Sequence, residues 1–330
     1  MSVTFTVIIP THDRRDTVVL AVRSALAQTR PPDEVIVIAD GCSDGTEKAV
    51  GAIAHPAVEL LSLPKAPGYG YGYRTTAMRR ARGTVVAWLC DDDLWLPDHL
   101  ERLGELFDAG AADIVQATPA IVRPDGSLDG AGGDWSVAHF RARLLAERDP
   151  GWPGWTPSSC VSHVRALALD AGGWNPDLPR AGDRDLWQRM LRAGARPALV
   201  AAPTVLSFQA TGRRQPWAER VTQNAALLQR LGDPAQLAAL RRDMARAVHT
   251  RIANVEDQDH HRGLRIAELE REVAGLRAQL EDATARAAPP AGGARGRLRR
   301  ARTRARQLVA AAARRSRHAP APRASSDDRP

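Results

Sequence analysis

The chain has 330 residues, of which 44% are hydrophobic and 25% are charged, and its formal net charge is +8. This composition indicates a globular protein with room for one large α/β domain and an attached segment. The charge excludes a uniformly basic domain, because residues 289–330 hold twelve arginines against two aspartates and the remainder is slightly negative.

Cysteine usage and apolar runs exclude further classes. Cys42, Cys90 and Cys160 are odd in number and form no CxxC pair, which argues against a disulfide framework and a structural zinc site. No run reaches the 18 apolar residues of a membrane span, and the N-terminal VTFTVIIP lacks the features of a signal peptide. A cytoplasmic protein is expected.

Strands and helices alternate through the first hundred residues. Apolar or β-branched runs predict strands, and helical spacing of apolar residues predicts the helices between them. The predicted order is strand Val3–Ile9, helix Asp16–Ala27, strand Val35–Ala39, a helix from Thr46, strand Val58–Leu63, helix Thr75–Arg82 and strand Thr84–Leu89.

Alternation of this kind is typical of a doubly wound, mostly parallel sheet, in which ligands bind at the carboxyl ends of the strands. Four segments follow strand ends and are therefore candidates for a binding site: Pro10–Arg14, Asp40–Thr46, Pro67–Arg74 and Cys90–Trp95.

The pattern continues beyond Pro97 and becomes helical near its end. A glycine-rich connection (125–133) and a tryptophan-rich loop (151–159) interrupt it. The further predicted elements are helix Asp98–Asp108, strand Ile114–Ala117, helices Arg165–Ala171 and Asp185–Ala193, a strand near Ala198–Ala201, and helices from about Pro216.

A heptad seam follows the helical part of the chain. Its apolar residues are Ile266, Leu269, Val273, Leu276 and Leu280, and weaker positions extend it to residue 287. This spacing predicts a coiled coil that could join copies of the chain, with a single amphipathic helix packed on the domain as the alternative. The predicted division is a catalytic domain (1–215), a helical extension (216–251), a coiled-coil helix (252–288) and a disordered Arg-rich tail (289–330).

Three consecutive aspartates, Asp91 to Asp93, follow the fourth predicted strand. Like charges in contact raise one another's pKa, and a divalent cation would relieve this conflict. A ligand set made only of oxygen favours Mg²⁺ or Mn²⁺, with substrate phosphates as further ligands. An acidic cap of the helix that begins near Pro97 is the alternative.

Asp40 ends the second strand, where a carboxylate can accept hydrogen bonds from a ribose hydroxyl or a base edge. The dinucleotide fingerprint GxGxxG is absent, since Gly68, Gly70 and Gly72 are spaced GxGxG and follow no strand directly. A nucleotide other than NAD is therefore expected.

Four segments occur together in order and spacing: VIIPTHDRRD (7–16), VIVIADGCSDGT (35–46), RTTAMRRARG with VVAWLCDDDLWLPDHL (74–100), and GGWNPDLPRAGDRDLWQRM (172–190). Together they resemble the motifs of family 2 glycosyltransferases with the GT-A fold, over roughly residues 1–210. The resemblance implies an inverting transferase that uses a nucleotide sugar.

The resemblance also implies roles for residues at matching positions. Asp183 would be the catalytic base, and Asp92, followed by Asp93, would bind the metal. Trp155 and Ser158 are assigned to the acceptor side, because they lie in or beside the tryptophan-rich loop. The positions implied for nucleotide binding are Pro10, Thr11, Asp13, Asp40, Arg74 and Asp91.

Two positions depart from the family pattern. Cys90 stands where the commonest pattern has its first aspartate, so the metal motif becomes Cys90-Asp91-Asp92. Gly182 replaces the glutamate that usually precedes the base, which leaves Asp183 without an acidic neighbour. A surface acid capping the following helix is the alternative for Asp183.

Three functions follow as hypotheses. The first is a metal-dependent glycosyltransferase in the synthesis of a polysaccharide, glycolipid or other glycoconjugate. The second is a catalytically weak homologue that binds nucleotide sugar and acts as a coiled-coil scaffold. The third is a nucleic-acid or anionic-membrane binder that works through its arginine tail, although such a tail could also dock a transferase at the inner face of a membrane.

Overall fold

The structure is a computed structural model, and it describes residues 2–130, 134–146, 156–208 and 217–251, together with Ala274, Gly275, Ala278 and Glu281. The chain divides into two compact units, Met1–Arg251 and Ile252–Pro330. The apolar residues of the predicted heptad seam and the arginine tail lie outside the described residues.

The first four strands are parallel and form the half of the sheet that the sequence predicted most fully. Val58–Leu63 has the predicted bounds, and the others differ from prediction by one or two residues at each end. Pro10 lies inside the first strand rather than after it, paired with Ile38. The strands are β1 (Phe5–Thr11), β2 (Glu34–Asp40), β3 (Val58–Leu63) and β4 (Val85–Trp88), in the spatial order β3-β2-β1-β4.

Antiparallel pairs join the second half of the sheet to the first. Its strands are β5 (Leu94–Trp95), β6 (Ile114–Val122), β7 (Leu128–Gly130), β8 (Val161–Val164) and β9 (Pro197–Phe208). The spatial order continues from β4 through β8, β6 and β9 to β5, with β7 paired to β6. Of these pairs, only β6 with β9 is parallel. The predicted α/β class with a doubly wound sheet is confirmed.

Eight helices with fixed bounds pack around this sheet in the described part of the chain, and a ninth, α9, covers 234–251. A 3-10 turn at Ser158–Cys160 precedes β8. The eight are α1 (Arg15–Leu26), α2 (Thr46–Gly51), α3 (Tyr71–Arg80), α4 (His99–Asp108), α5 (Ala138–Ala146), α6 (Arg165–Asp170), α7 (Gly182–Arg192) and α8 (Trp217–Leu231).

Two helices begin earlier than the apolar spacing predicted, and both begin in the site described below. The residue before α3 is Gly70 and the residue before α7 is Ala181, and both have a left-handed backbone with φ of 66° and 57°. Apolar periodicity does not report such a start, because the first turns consist mostly of glycine and polar residues, although Tyr71 joins the apolar core.

Three apolar clusters hold the elements together. Two cover the opposite faces of the sheet, as the fully buried strands β1 and β2 require. The third joins the sheet to α8 and α9, and it includes Leu94, Leu206, Leu227 and Met244. Residues 217–251 therefore share a core with the domain.

Among the described helices, none is both long and apolar enough to cross a bilayer. The three cysteines are free thiols.

Candidate active site

The three consecutive aspartates after β4 have three different environments. Asp93 is 2% exposed, and its carboxylate accepts hydrogen bonds from the Ser159 hydroxyl (2.5 Å), the Ser207 hydroxyl (3.3 Å) and the Phe208 backbone N–H (2.8 Å). Burial, followed by the neighbouring Asp92 charge, raises the pKa of Asp93 to about 8. Both of its oxygens are engaged inside the protein, which argues against the predicted role of Asp93 as a metal ligand.

Asp92 faces α8. Its Oδ2 lies 2.9 Å from Nη1 of Arg220, and its backbone carbonyl accepts a hydrogen bond of 2.8 Å from the Asn224 amide. Burial raises the pKa of Asp92, whereas the Arg220 charge opposes that rise. Helix α8 thus places the positive charge of Arg220 beside the aspartate that the sequence motif assigns to a metal.

Asp91 is destabilised in its charged form. Burial, and secondly the Asp92 charge, raise the pKa of Asp91 to about 7, while the Thr11 hydroxyl and the charges of Arg14 and Arg74 act in the opposite direction. Asp91 and Asp92 are adjacent carboxylates, and the charge of Asp92 opposes the ionisation of Asp91, so together they form an oxygen-only donor set that fits a hard divalent cation.

Cys90, at the first position of the metal motif, offers no comparable ligand. Its backbone N–H donates to the Ser159 hydroxyl at 2.9 Å, and burial together with the nearby Asp93 and Asp92 charges raises its thiol pKa well above the ordinary value. A thiol in this environment stays protonated, and metals bind the thiolate. The oxygen ligands at this strand end therefore have to come from the aspartates.

Asp40 lies at the end of β2, opposite the start of α3. Its Oδ2 accepts a hydrogen bond from Lys65 Nζ at 2.5 Å and its Oδ1 accepts one from the Ala66 N–H at 2.6 Å. A Cβ at Gly70 would lie 2.9 Å from Asp40 Oδ2, so glycine lets α3 begin in contact with this carboxylate. Asp40 is thereby held at the mouth of the cleft.

The segment after β1 meets the turn after β2. Asp13 has a left-handed backbone (φ 52°), and its Oδ1 accepts a 2.6 Å hydrogen bond from the Ser43 N–H. His12 Nδ1 lies 2.7 Å from the Asp40 carbonyl oxygen, and Thr11 is 4% exposed at the end of β1. Thr11, Asp13 and Asp40, three of the positions predicted to bind nucleotide, therefore lie on adjoining strand ends.

Asp183 lies in the first turn of α7. Its Oδ2 accepts a hydrogen bond from the Ser158 hydroxyl at 3.0 Å, and its Oδ1 accepts one from the Arg184 N–H at 2.8 Å. Ser159, which follows Ser158 in the chain, donates a hydrogen bond from its hydroxyl to Asp93. Two consecutive serines therefore connect the predicted base to the aspartate triplet.

The first turn of α3 completes the cleft. Its Tyr71 hydroxyl accepts a hydrogen bond from the Gly182 N–H at 3.1 Å, so the helix that begins beside Asp40 also touches the residue before Asp183. Arg74 lies 4.6 Å above the ring of Trp174, with its charge directed toward Asp91. The positions predicted from the four motifs meet in one place.

The aromatic residues divide between the core and the undescribed loop. Trp135 and Trp174 are 1% and 2% exposed and pack in the interior, and His163 accepts a 2.9 Å hydrogen bond from the indole of Trp88. Trp155, the predicted acceptor residue, lies outside the described residues. Ser158, its companion in that prediction, donates a hydrogen bond to Asp183, the predicted base.

Several residues that lie close to the carboxylates are distant from them in the sequence, and the sequence did not predict them. Arg220 and Asn224 belong to α8, more than a hundred residues after Asp92, and no local pattern marks them. Arg14 lies in a segment that the strand-end rule had indicated, and its guanidinium lies 4.0 Å from the ring centre of Trp217. Ser159 and Tyr71 were visible only as neighbours of predicted residues.

A doubly wound α/β sheet with carboxylates gathered at the carboxyl ends of its strands is the kind of fold that binds nucleotides at that edge. Residues 6–167 match the family described as "Glycosyl transferase family 2". Over these residues the chain carries a glycosyltransferase family 2 domain, which confirms the interpretation of its motifs.

Named relatives lie in the same field of chemistry. The chain is 38% identical over 121 residues to the succinoglycan biosynthesis protein ExoO of Rhizobium meliloti (strain 1021), covering 37% of this chain and 34% of that protein. It is 33% identical over 95 residues to the Escherichia coli UDP-Glc:alpha-D-GlcNAc-diphosphoundecaprenol beta-1,3-glucosyltransferase WfgD, covering 29% of this chain and 37% of that protein. Each match spans about a third of the relative's length.

Solved structures of S. aureus TarS share the fold. A structure of its residues 1–349 matches with a TM-score of 0.50 and 18% identity, covering 75% of this chain and 71% of that one. The UDP-GlcNAc complex of the same TarS segment matches with a TM-score of 0.50 and 19% identity, covering 62% and 58%. At this identity the likeness establishes the GT-A fold alone.

Proposed function

We propose that this protein transfers a sugar from a nucleoside-diphosphate sugar to an acceptor hydroxyl, with inversion at the anomeric carbon. The observation that carries the proposal is the serine pair. Ser158 holds Asp183 and Ser159 holds Asp93, the buried neighbour of Asp92, which supports a base close to the strand end that carries Asp91 and Asp92. Asp40 lies beside the start of α3.

Asp183 is proposed as the general base. An acceptor hydroxyl must lose its proton as its oxygen attacks the anomeric carbon, and a carboxylate within hydrogen-bond reach can take that proton. One displacement of this kind inverts the configuration and needs no second carboxylate as nucleophile. The proton from Ser158 occupies one lone pair of Asp183 Oδ2, which leaves further acceptor capacity on the carboxylate.

The donor diphosphate is proposed to lie between Asp92 and α3. Asp91 and Asp92 would hold a Mg²⁺ or Mn²⁺ ion, which when bound neutralises charge on the departing nucleoside diphosphate. Arg74 and Arg14 add positive charge on the same side of the cleft, since both act on Asp91. Asp40, Thr11, Asp13 and Pro10 would contact the nucleoside.

The relatives favour a UDP-sugar donor and an envelope or secreted glycan as the product. One relative is named for succinoglycan biosynthesis, another as a UDP-Glc-dependent glucosyltransferase, and a structural neighbour was solved with UDP-GlcNAc. We accordingly propose polysaccharide, glycolipid or other glycoconjugate synthesis. Assembly through 266–287, membrane contact through the tail and a cytoplasmic location stay predictions.

The test is a donor screen with the full chain, in which UDP release from UDP-glucose, UDP-GlcNAc and UDP-galactose is measured with and without Mn²⁺. Asp183→Asn is compared with Asp185→Asn, a change of the same chemistry in the same first turn, where Asp185 pairs with Arg189. We expect Asp183→Asn to lower kcat by roughly 10²–10⁴-fold and the control to lower it by less than roughly three-fold.

Two results would contradict the proposal. Equal turnover by the two variants would remove Asp183 from the chemistry. Nucleotide binding that ignores Mn²⁺, with no UDP release from any donor, would favour the catalytically weak homologue that Cys90 and Gly182 suggest.

A further inference from the structure

The replacement of the family's glutamate by Gly182 has a counterpart in space. A Cβ built on Gly182 would lie 2.7 Å from Cε2 and Cζ of Tyr71 and 2.9 Å from Cδ2. Separations below 3.0 Å require a neighbour to move, and this neighbour is an aromatic ring and not the end of a flexible chain. The ring of Tyr71 therefore occupies the volume into which a side chain at position 182 would extend.

The hydroxyl of Tyr71 also has a defined partner at that position. It accepts a hydrogen bond from the Gly182 N–H at 3.1 Å, and this N–H is one of the first-turn donors of α7 that have no partner within the helix. The residue before α7, Ala181, has a left-handed backbone and makes no side-chain cap. The phenol oxygen thus does the work of a cap for the turn that carries Asp183.

Tyr71 is itself held firmly in place. Its ring stacks on Trp174 (centroids 5.4 Å apart, planes at 21°) and on Tyr69 (5.9 Å, 25°), and it is 7% exposed. Arg74 lies over both Tyr71 and Trp174, at 5.3 Å and 4.6 Å from the ring centroids. Burial raises the phenol pKa, so the group stays neutral at ordinary pH.

We propose that Tyr71 is the positioning residue for Asp183, and that Tyr71 and Gly182 together replace the acidic neighbour that other family members place before the base. The ring fixes where α7 can begin, and the hydroxyl fixes the orientation of its first peptide. Ser158 then fixes the carboxylate from the opposite side. Small displacements of a base cost large factors in rate, which makes this support measurable.

This inference rests on the proposed function, and its test begins with any UDP-sugar that the wild-type chain hydrolyses or transfers. Tyr71→Phe keeps the stack and the ring volume and removes only the oxygen. We expect kcat to fall roughly ten-fold while the KM for the donor stays within about two-fold. Tyr73→Phe is the matched control, because this tyrosine of the same helix donates its hydroxyl to the Pro64 carbonyl at 2.9 Å and has no contact with α7 among the described bonds.

The reciprocal exchange tests the shared volume. Gly182→Ala should lower kcat by roughly a hundred-fold when Tyr71 is present, and by much less in a Tyr71→Ala background, which is a non-additivity that independent sites do not show. The double variant Tyr71→Ala, Gly182→Glu should be more active than Tyr71→Ala alone.

The outcomes separate this inference from the proposed function. Wild-type kcat in Tyr71→Phe, or additive effects of the two substitutions, would overturn the role of Tyr71 while leaving the transferase intact. Failure of the wild-type chain to release UDP from any UDP-sugar would overturn both.

Discussion

The two halves of the sheet reach the cleft by different routes. In β1 to β4, parallel strands and short connections place Thr11, Asp40 and Asp91 at one edge of the sheet. The location of such a residue can therefore be predicted from its place at the end of a strand. In the second half, Ser158, Asp183 and Arg220 arrive from a 3-10 turn, a helix start and a late helix. The first half thus positions the residues proposed to bind nucleotide by topology, whereas the second positions the proposed base by side-chain contacts.

The largest stability effect is expected where the halves are joined. Ser159→Ala removes the hydroxyl that donates to buried Asp93 and accepts from the Cys90 N–H, so the Cys90 N–H loses this acceptor and Asp93 loses the shortest of its three hydrogen bonds. We expect a loss of about 3 kcal/mol in the free energy of unfolding, measured by urea denaturation. Ser158→Ala, at the neighbouring position, should cost about 1 kcal/mol and act mainly on kcat. Equal losses of unfolding free energy in the two variants would show that Ser159 supports the fold no more than Ser158 does.

The next effect concerns α8. Arg220→Ala removes the charge paired with Asp92, and both side chains of this pair are largely buried (9% and 18% exposed). A carboxylate left without its partner at such a site should lower stability by roughly 2–3 kcal/mol, and Mn²⁺ should restore part of that loss by compensating the same charge.

Arg123→Ala is the control for this substitution, because its pair with Asp129 is more exposed and such pairs contribute about 0–1 kcal/mol. Thermal unfolding of both variants, with and without Mn²⁺, measures the difference. Mn²⁺ that stabilises wild type and Arg220→Ala equally would separate Arg220 from the cation site.

A smaller effect is expected in the pH dependence of stability. Burial lowers the pKa of His163 to about 4, below its ordinary value of 6.5, so between these values the unfolded chain binds a proton that the folded chain does not. Stability should therefore fall as pH drops from about 6.5 to about 4, with no contribution from this group above that range.

His163→Gln keeps an acceptor for the Trp88 indole and removes the titration. The stability difference between pH 7 and pH 5 should shrink by roughly 1–2 kcal/mol in urea titrations. If the stability difference between pH 7 and pH 5 were the same in His163→Gln and wild type, proton uptake by His163 on unfolding would not be its cause.

The features that the sequence could predict lie mainly in the first half of the sheet. The strand ends of the first half were predictable, since apolar runs mark buried parallel strands and topology gathers their carboxyl ends. Asp183 was predictable only through the family resemblance. Tyr71, Ser159 and Arg220 were not, because a hydrogen bond between residues over sixty positions apart leaves no periodic signal. For Asp93, adjacency in a motif did not reveal that its carboxylate accepts hydrogen bonds inside the protein.

The proposed function requires a cation-dependent nucleotide side, at Asp92, and a separate base, Asp183. Calorimetric titration of UDP with Mn²⁺ into Asp92→Asn and Asp183→Asn, beside UDP release from the best UDP-sugar, tests it most directly. We expect Asp92→Asn to lose the Mn²⁺-dependent part of UDP binding, and Asp183→Asn to bind UDP as wild type does and to lose turnover. UDP binding weakened equally in both variants, or turnover retained by Asp183→Asn, would contradict it.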